Sequence, residues 1–255
     1  MKRLLAACAA FAALGACTTT ATAPAPAATA AMTMPEITIY HLEGRRSERI
    51  VWLMEELGLP YKLEFKRGDL AGSMATIKQV NPAMPVAPTV DIAGQVLVES
   101  GAIIETILNR YAPGKLQPDI NSLDYPYHLM WMHYAEGSAM TPLLLKLVFT
   151  RLPANAPVLL RGLVKSISDK ANARLVDPQV ATHLDYWDSE LSKAEWFAGN
   201  QFTAADIMMS FPLEAAAARA NAKSKPMVKA FLDRIHARPA YLAALKKGGP
   251  YDYAT

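Results

Sequence analysis

The chain has 255 residues, 52% of them apolar and 19% charged, with 18 prolines and 2 cysteines. That length accommodates one large domain or two small ones with real cores, and the apolar share argues against intrinsic disorder. The formal net charge of +3 falls to +1 once Lys2 and Arg3 are set aside, which leaves no electrostatic footprint for nucleic acid, and no apolar run reaches the roughly 18 to 20 residues of a membrane-spanning helix.

The first 34 residues read as lying outside the fold. Lys2 and Arg3 precede an unbroken apolar run over 4–14, a charged start and short core that predict an export signal. Leu14-Gly15-Ala16-Cys17 follows and resembles the lipobox of bacterial lipoproteins. On that resemblance residues 1–16 are a signal peptide and Cys17 takes up acyl chains, each buried methylene adding about 0.8 kcal/mol of membrane anchoring. Residues 18–34 contain only Thr, Ala, Pro and Met, so 17–34 reads as a tether that spans roughly 20–25 Å as a coil. The location implied is the periplasmic side of the cell envelope, held by lipid. Translation from Met32 or Met34 would instead give a cytoplasmic protein, and the sequence leaves both open.

No cysteine follows Cys17, so the folded part has no disulfide, no thiolate nucleophile and no Cys-based metal site. His41, His128, His133, His183 and His236 show no metal-ligand spacing, and no metal is expected.

Residues 36–41 (EITIYH) form a β-rich run. Ile50, Leu53, Met54 and Leu57 then recur at helical spacing, predicting a helix over 47–57 that stops at Gly58, with Pro60 beyond. Tyr61, Leu63 and Phe65 alternate as a second strand, and 71–79 is helical. A proline-rich turn over 81–88 leads to strands at 89–92 and 96–98 around Gly94, a hairpin pattern. Ser100 to Tyr111 closes this half as a helix with Ile103, Ile107 and Leu108 on its apolar side. One mixed sheet in a small α+β domain over 35–111 is expected.

After a Pro/Gly-bearing linker at 112–121 the strand signal disappears. Helices are expected over 125–149, 158–174, 178–191, 202–222, 226–237 and 239–246, an all-helical bundle spanning 122–255.

Strand–helix–strand–helix–hairpin–helix with a proline before the hairpin resembles the first half of a glutathione transferase, and the helical remainder resembles that family's second domain. Three stretches support this in order: Val98-Glu99-Ser100-Gly101-Ala102-Ile103, His133-Tyr134-Ala135-Glu136-Gly137-Ser138, and Phe197 through Thr203-Ala204-Ala205-Asp206. The HYAEGS stretch resembles the bacterial and fungal branch, and the likeness covers Ile37 to about Tyr253. It implies an α+β thioredoxin-like N-terminal domain followed by an all-α C-terminal bundle. It further implies a homodimer that uses glutathione as co-substrate, with no metal or prosthetic group. The implied activity is attack of glutathione on an apolar electrophile, or reduction of a peroxide. A non-catalytic glutathione or hydrophobic-ligand binder on the same fold is the alternative, and an isomerase or dehalogenase using the same thiolate stays open.

Ser100 stands at a helix N-terminus, where free N–H groups suit a carboxylate, and Glu99 is placed to pair with the ammonium beside it. Ser100 also fits an ordinary N-cap, and the two roles are compatible. The resemblance places Pro88 where the family has a cis-proline and so assigns the Ala87 N–H and C=O to the cysteinyl part of glutathione. Met84-Pro85 stands where the family has Gly-Lys, which removes a basic contact for the terminal carboxylate. Thr203 and Asp206 read as a structural capping pair.

A thiol of pKa near 8.5 is only about 3% ionised at pH 7, and lowering it by two units makes it about three-quarters ionised, a gain of roughly 2.7 kcal/mol. Arg45 occupies the position of the family's catalytic serine. The candidate activators are Tyr40, with Arg45 nearby, and Ser47, which is equally an N-cap for the first helix. Met132, Glu136, Met140 and Leu144 are expected along the second-substrate cleft, with Glu136 either a surface charge or a group that orients substrate.

Overall fold

The computed structural model describes residues 34–253; the expected signal segment, Cys17 and nearly all of the tether lie outside the described residues. Strand β1 (Ile37–Tyr40) leads into α1 (Glu48–Leu57), then β2 (Lys62–Glu64), α2 (Leu70–Val80), the hairpin β3 (Thr89–Ile92) and β4 (Gln95–Val98), and α3 (Ser100–Tyr111). The sheet order is β2-β1-β3-β4. β1 and β2 run parallel with Ile39 opposite Leu63, whereas β1 pairs antiparallel with β3, Ile39 opposite Val90. This is the mixed sheet of a thioredoxin-like domain. The parallel pair needs α1 as its crossover, while β3 and β4 need only the two-residue turn Ala93-Gly94, both at positive φ.

α1 forms as its periodicity predicts, with Ile50, Leu53 and Met54 fully buried and Gly58 in the left-handed conformation that closes it. Its expected N-cap differs. Ser47 has helical angles and its side chain makes no capping bond; the hydroxyl turns inward to His41 and Leu42 instead.

The second half is all-helical; it continues through Pro142 as expected and departs from expectation at Pro178. α4 (Tyr125–Tyr134) continues through a π-helical turn at Ala135–Ala139 into α5 (Met140–Arg151). α6 (Arg161–Ala171) likewise continues through a π turn at Asn172–Val176 into α7 (Asp177–Lys193), so the break expected before Pro178 is absent. A proline inside a helix lacks an N–H and crowds the carbonyl four residues earlier. Those carbonyls belong to Ser138 (for Pro142) and Arg174 (for Pro178), and each lies within a widened turn. Local widening to i→i+5 bonding accommodates the ring without ending the helix.

α8 (Ala204–Ala220) runs through the centre of this half, buried on every side from Ala204 to Ala216, and α9 (Pro226–His236) and α10 (Pro239–Gly248) complete it. Its N-terminus carries the expected capping box. Thr203 Oγ1 accepts from the Ala205 N–H at 3.3 Å, and Asp206 accepts from the Thr203 N–H at 2.8 Å and the Phe197 N–H at 2.9 Å. The two halves pack mainly through α1 against α8 and α10, edged by a bidentate Arg238–Glu56 pair at 2.6 and 2.8 Å. No helix among the described residues is long and apolar enough to cross a membrane.

His128 on α4 is 2% exposed and its Nδ1 has no hydrogen-bond partner, so burial pushes its pKa down to about 4. The unfolded chain binds this proton near pH 6.5 and the folded chain does not until about pH 4. Stability from this group is therefore whole above pH 6.5 and is lost as pH falls toward 4, by about 3 kcal/mol in all. Urea unfolding of the wild type and His128→Gln at pH 7, 5.5 and 4 should show a flatter acid slope in the variant; parallel slopes would refute the assignment.

Candidate functional site

A cleft of about 400 Å³ opens between the segment after β1, the loop preceding β3 and the start of α3. That volume lies within the usual range for small-molecule sites. The cleft brings Arg45, Ala87, Pro88, Glu99 and Ser100 together, and adds Arg46 and Glu136. The Ala87–Pro88 peptide bond is cis. Among the described residues, the half-buried Ala87 makes no hydrogen bond through its N–H or C=O. An adjacent unpaired donor and acceptor match the needs of a bound peptide. Met84 and Pro85 line the same wall and supply no charge there.

Glu99 is the residue immediately before α3 and holds φ 71°, ψ 113°, a conformation L-residues rarely adopt. Strain of this kind costs about 1–3 kcal/mol and collects at binding sites, because the surrounding fold must enforce it. Here it leaves the Glu99 side chain exposed at the rim while Ser100 is buried at the helix start. The Ser100 hydroxyl accepts from Arg49 Nη2 at 3.1 Å, which leaves its own hydrogen free to donate.

Arg49 organises the floor. It is 2% exposed, and besides Ser100 it donates to the Met208 carbonyl at 2.9 Å and to Glu136. The Met208 carbonyl lies four residues before Pro212, whose missing N–H would otherwise be its helical donor. A guanidinium from the first domain thus fills a vacancy in the central helix of the second. Glu136 also accepts from Arg46 Nε at 2.8 Å. Burial opposes ionisation of Glu136, but the two arginines outweigh it and hold the carboxyl below its usual range. The pairing of Arg49 with Glu136 did not emerge from the sequence. A signal was nonetheless present: Arg49 stands four residues before Leu53 on the apolar face of α1, and Glu136 stands midway between Met132 and Met140. Opposite charges on two apolar stripes indicate a buried pair.

Two expected activators do not join the cleft. Ser47 is fully buried, its Oγ 2.9 Å from His41 Nδ1 and accepting from the Leu42 N–H at 3.1 Å. That hydroxyl fixes the turn into α1 and does not line the cleft. Tyr40 ends β1 between its register partners Glu64 and Thr89, while the cleft wall starts farther along the chain at Leu42. Partial burial and the carboxylates of Asp91, Glu64 and Glu36 raise its phenol above the ordinary value, as expected of a sheet-face tyrosine. Arg45 alone of the three lines the cleft.

A second cleft of about 540 Å³ adjoins the first, sharing Arg45 and Arg46 and walled by Met140, Leu144, Leu147 and Phe211. Met140 and Leu144 line this second cleft, whereas Glu136 lines the first and Met132 is core at 1% exposure.

The glutathione S-transferase N-terminal domain model matches residues 35–109 and the C-terminal domain model matches 152–239. Glutathione S-transferase 3 of Schizosaccharomyces pombe is 32% identical over 214 residues, covering 83% of this chain and 87% of that protein. The chain belongs to the glutathione S-transferase family. Among solved structures, a glutathione S-transferase from Actinobacillus pleuropneumoniae is 27% identical with a TM-score of 0.69, covering 86% of this chain and 95% of its own. A sphingomonad glutathione S-transferase, solved with glutathione, is 26% identical with a TM-score of 0.63, covering 83% and 98%. As a member of this enzyme family the chain carries the family's two-domain fold, and in it Arg49 ties the two parts together at the cleft.

Arg49→Ala would strand the Met208 carbonyl, remove the donor to the Ser100 hydroxyl and leave Glu136 with Arg46 as its remaining arginine. The expected loss is about 3 kcal/mol or more, read as a fall in Tm of about 10 °C. Arg49→Lys should recover little, because one ammonium cannot reach three partners. A loss below about 1 kcal/mol for the alanine variant would show that the cluster does not hold the fold.

Proposed function

We propose that this transferase binds glutathione extended along the first cleft and conjugates it to an electrophile held in the second. The observation that carries the reading is one cleft containing the unpaired Ala87 backbone, the Ser100 hydroxyl at a helix N-terminus and the Arg45 guanidinium. In this reading the γ-glutamyl carboxylate meets Ser100 and the α3 N-terminus, and Glu99 pairs with the adjacent ammonium. The cysteinyl amide and carbonyl pair with Ala87, which directs the sulfur toward the segment after β1.

There Arg45 is the charge that lowers the thiol pKa. Arg46 is committed to Glu136, whereas Arg45 is exposed and among the described residues bonds only the neighbouring Gly44 carbonyl at 2.9 Å. In the step itself the thiol proton goes to solvent, the sulfur forms a bond to the electrophilic carbon, and a leaving group such as chloride departs with the electron pair. The glutathione complex of the sphingomonad relative supports the choice of co-substrate.

Thiolate absorbance near 240 nm, followed against pH with saturating protein, should report a bound thiol pKa about two units below 8.5. Arg45→Ala should raise it by about one unit and slow turnover of a chlorinated nitroaromatic about tenfold. A bound thiol of ordinary acidity, with no turnover of that substrate or of cumene hydroperoxide, would instead identify a binding protein on this fold.

We further propose that the mature chain begins at an acylated Cys17 and is anchored at the cell envelope. Mass spectrometry of the native N-terminus should find a lipid-modified Cys17. An unmodified terminus at residues 32–34 would place the protein in the cytoplasm.

A further inference from the structure

The second cleft is apolar along one wall and strongly basic at its rim. Its lining carries Arg45, Arg46, Arg151 and Arg219 against only Glu43 and Asp252. Arg46 is paired with Glu136 at 2.8 Å, whereas the buried Glu43 accepts from the Gly68 N–H at 2.8 Å and keeps its charge. Arg219 donates to the Tyr253 hydroxyl and makes no ion pair among the described residues. Among the described residues Arg151 makes no hydrogen bond or ion pair through its side chain. It is the last residue of α5, four after Leu147 and seven after Leu144, so it stands at the end of the apolar row formed by those leucines. Arg151 and Arg219 each stand in the last turn of a helix and complement its dipole, but the dipoles alone do not bring the two arginines to one cleft.

From this arrangement we propose that the electrophile is an amphipathic anion. Its apolar body lies along Leu144, Leu147 and Phe211, and its carboxylate or equivalent oxyanion pairs with Arg151 and Arg219. The proposal rests on glutathione occupying the adjoining cleft, and it replaces the purely apolar acceptor expected from sequence. A forked guanidinium suits an oxyanion through two parallel N–H bonds, and a partly enclosed site strengthens that pairing relative to water.

Two product analogues test it by calorimetric titration of the full chain. S-Hexylglutathione and S-(5-carboxypentyl)glutathione differ only in a terminal methyl against a terminal carboxylate. An uncharged pocket would bind the carboxylate form more weakly because of its desolvation cost. The arrangement here predicts that the carboxylate form binds about tenfold more tightly, with a preference that shrinks as salt is added. In Arg151→Gln the ratio of the two affinities should fall toward unity, and Arg151→Lys should restore part of it. Weaker binding of the carboxylate form, or a preference that survives Arg151→Gln, would overturn the proposal while leaving the transferase reading intact. If neither analogue nor glutathione itself binds, both fall together.

Discussion

One guanidinium holds this molecule together where its chemistry is to occur. Arg49 rises from the first helix of the thioredoxin-like domain, and its hydrogen bonds end on three elements: Ser100 at the head of α3, Glu136 in the π turn between α4 and α5, and the Met208 carbonyl in α8. Taking a cation out of water is costly, and the geometry offsets that cost only because an anion and further acceptors lie within reach. The position of Ser100, the charge state of Glu136 and the depth of the inter-domain groove all follow from this cluster. The strained Glu99 depends on it too, since Ser100, the next residue, is fixed from beneath.

The electrostatics of the neighbouring arginines follow from the same arrangement. Glu136 neutralises Arg46 and leaves Arg45 as the uncommitted cation beside the first cleft. Ionising a thiol at neutral pH requires positive potential held close to the sulfur. A serine or tyrosine hydroxyl would supply it as a dipole; a guanidinium supplies it as a full charge and needs no particular rotamer. The same surplus extends into the second cleft, where Arg151 and Arg219 continue the basic rim over a wall of leucine, methionine and phenylalanine.

Much of this was legible in the chain itself. The periodicity of Ile50, Leu53 and Met54, the Gly94 turn, the start of α3 at Ser100 and the Thr203–Asp206 box each encode a local structure, and local structure is what spacing reports. Arg45, Ala87, Pro88, Glu99 and Ser100 converge on one cleft because the family pattern ties each of them to a particular turn or helix end. Tyr40 and Ser47 lie outside the cleft lining for a reason spacing cannot carry. The direction of a side chain at the end of a strand, or at the first turn of a helix, is set by tertiary partners, here His41 and Leu42 for the serine. The long-range cluster of Arg49, Glu136 and Met208 was hidden for the same reason, and the uninterrupted passage through Pro178 was hidden because a π turn leaves no mark in composition.

Pro212 acquires a different meaning in this light. On its own it weakens α8 by withdrawing one donor from the middle of a helix, yet it also creates the acceptor that Arg49 fills. The two positions are therefore coupled through one carbonyl. A lineage that restored an ordinary residue at 212 would release the arginine from one of its three tasks, whereas a lineage that lost the arginine first would be left with an open carbonyl in the heart of the bundle. Substitution is tolerable in one order and harmful in the other, so related chains should drift together at these sites, with the proline departing before the arginine.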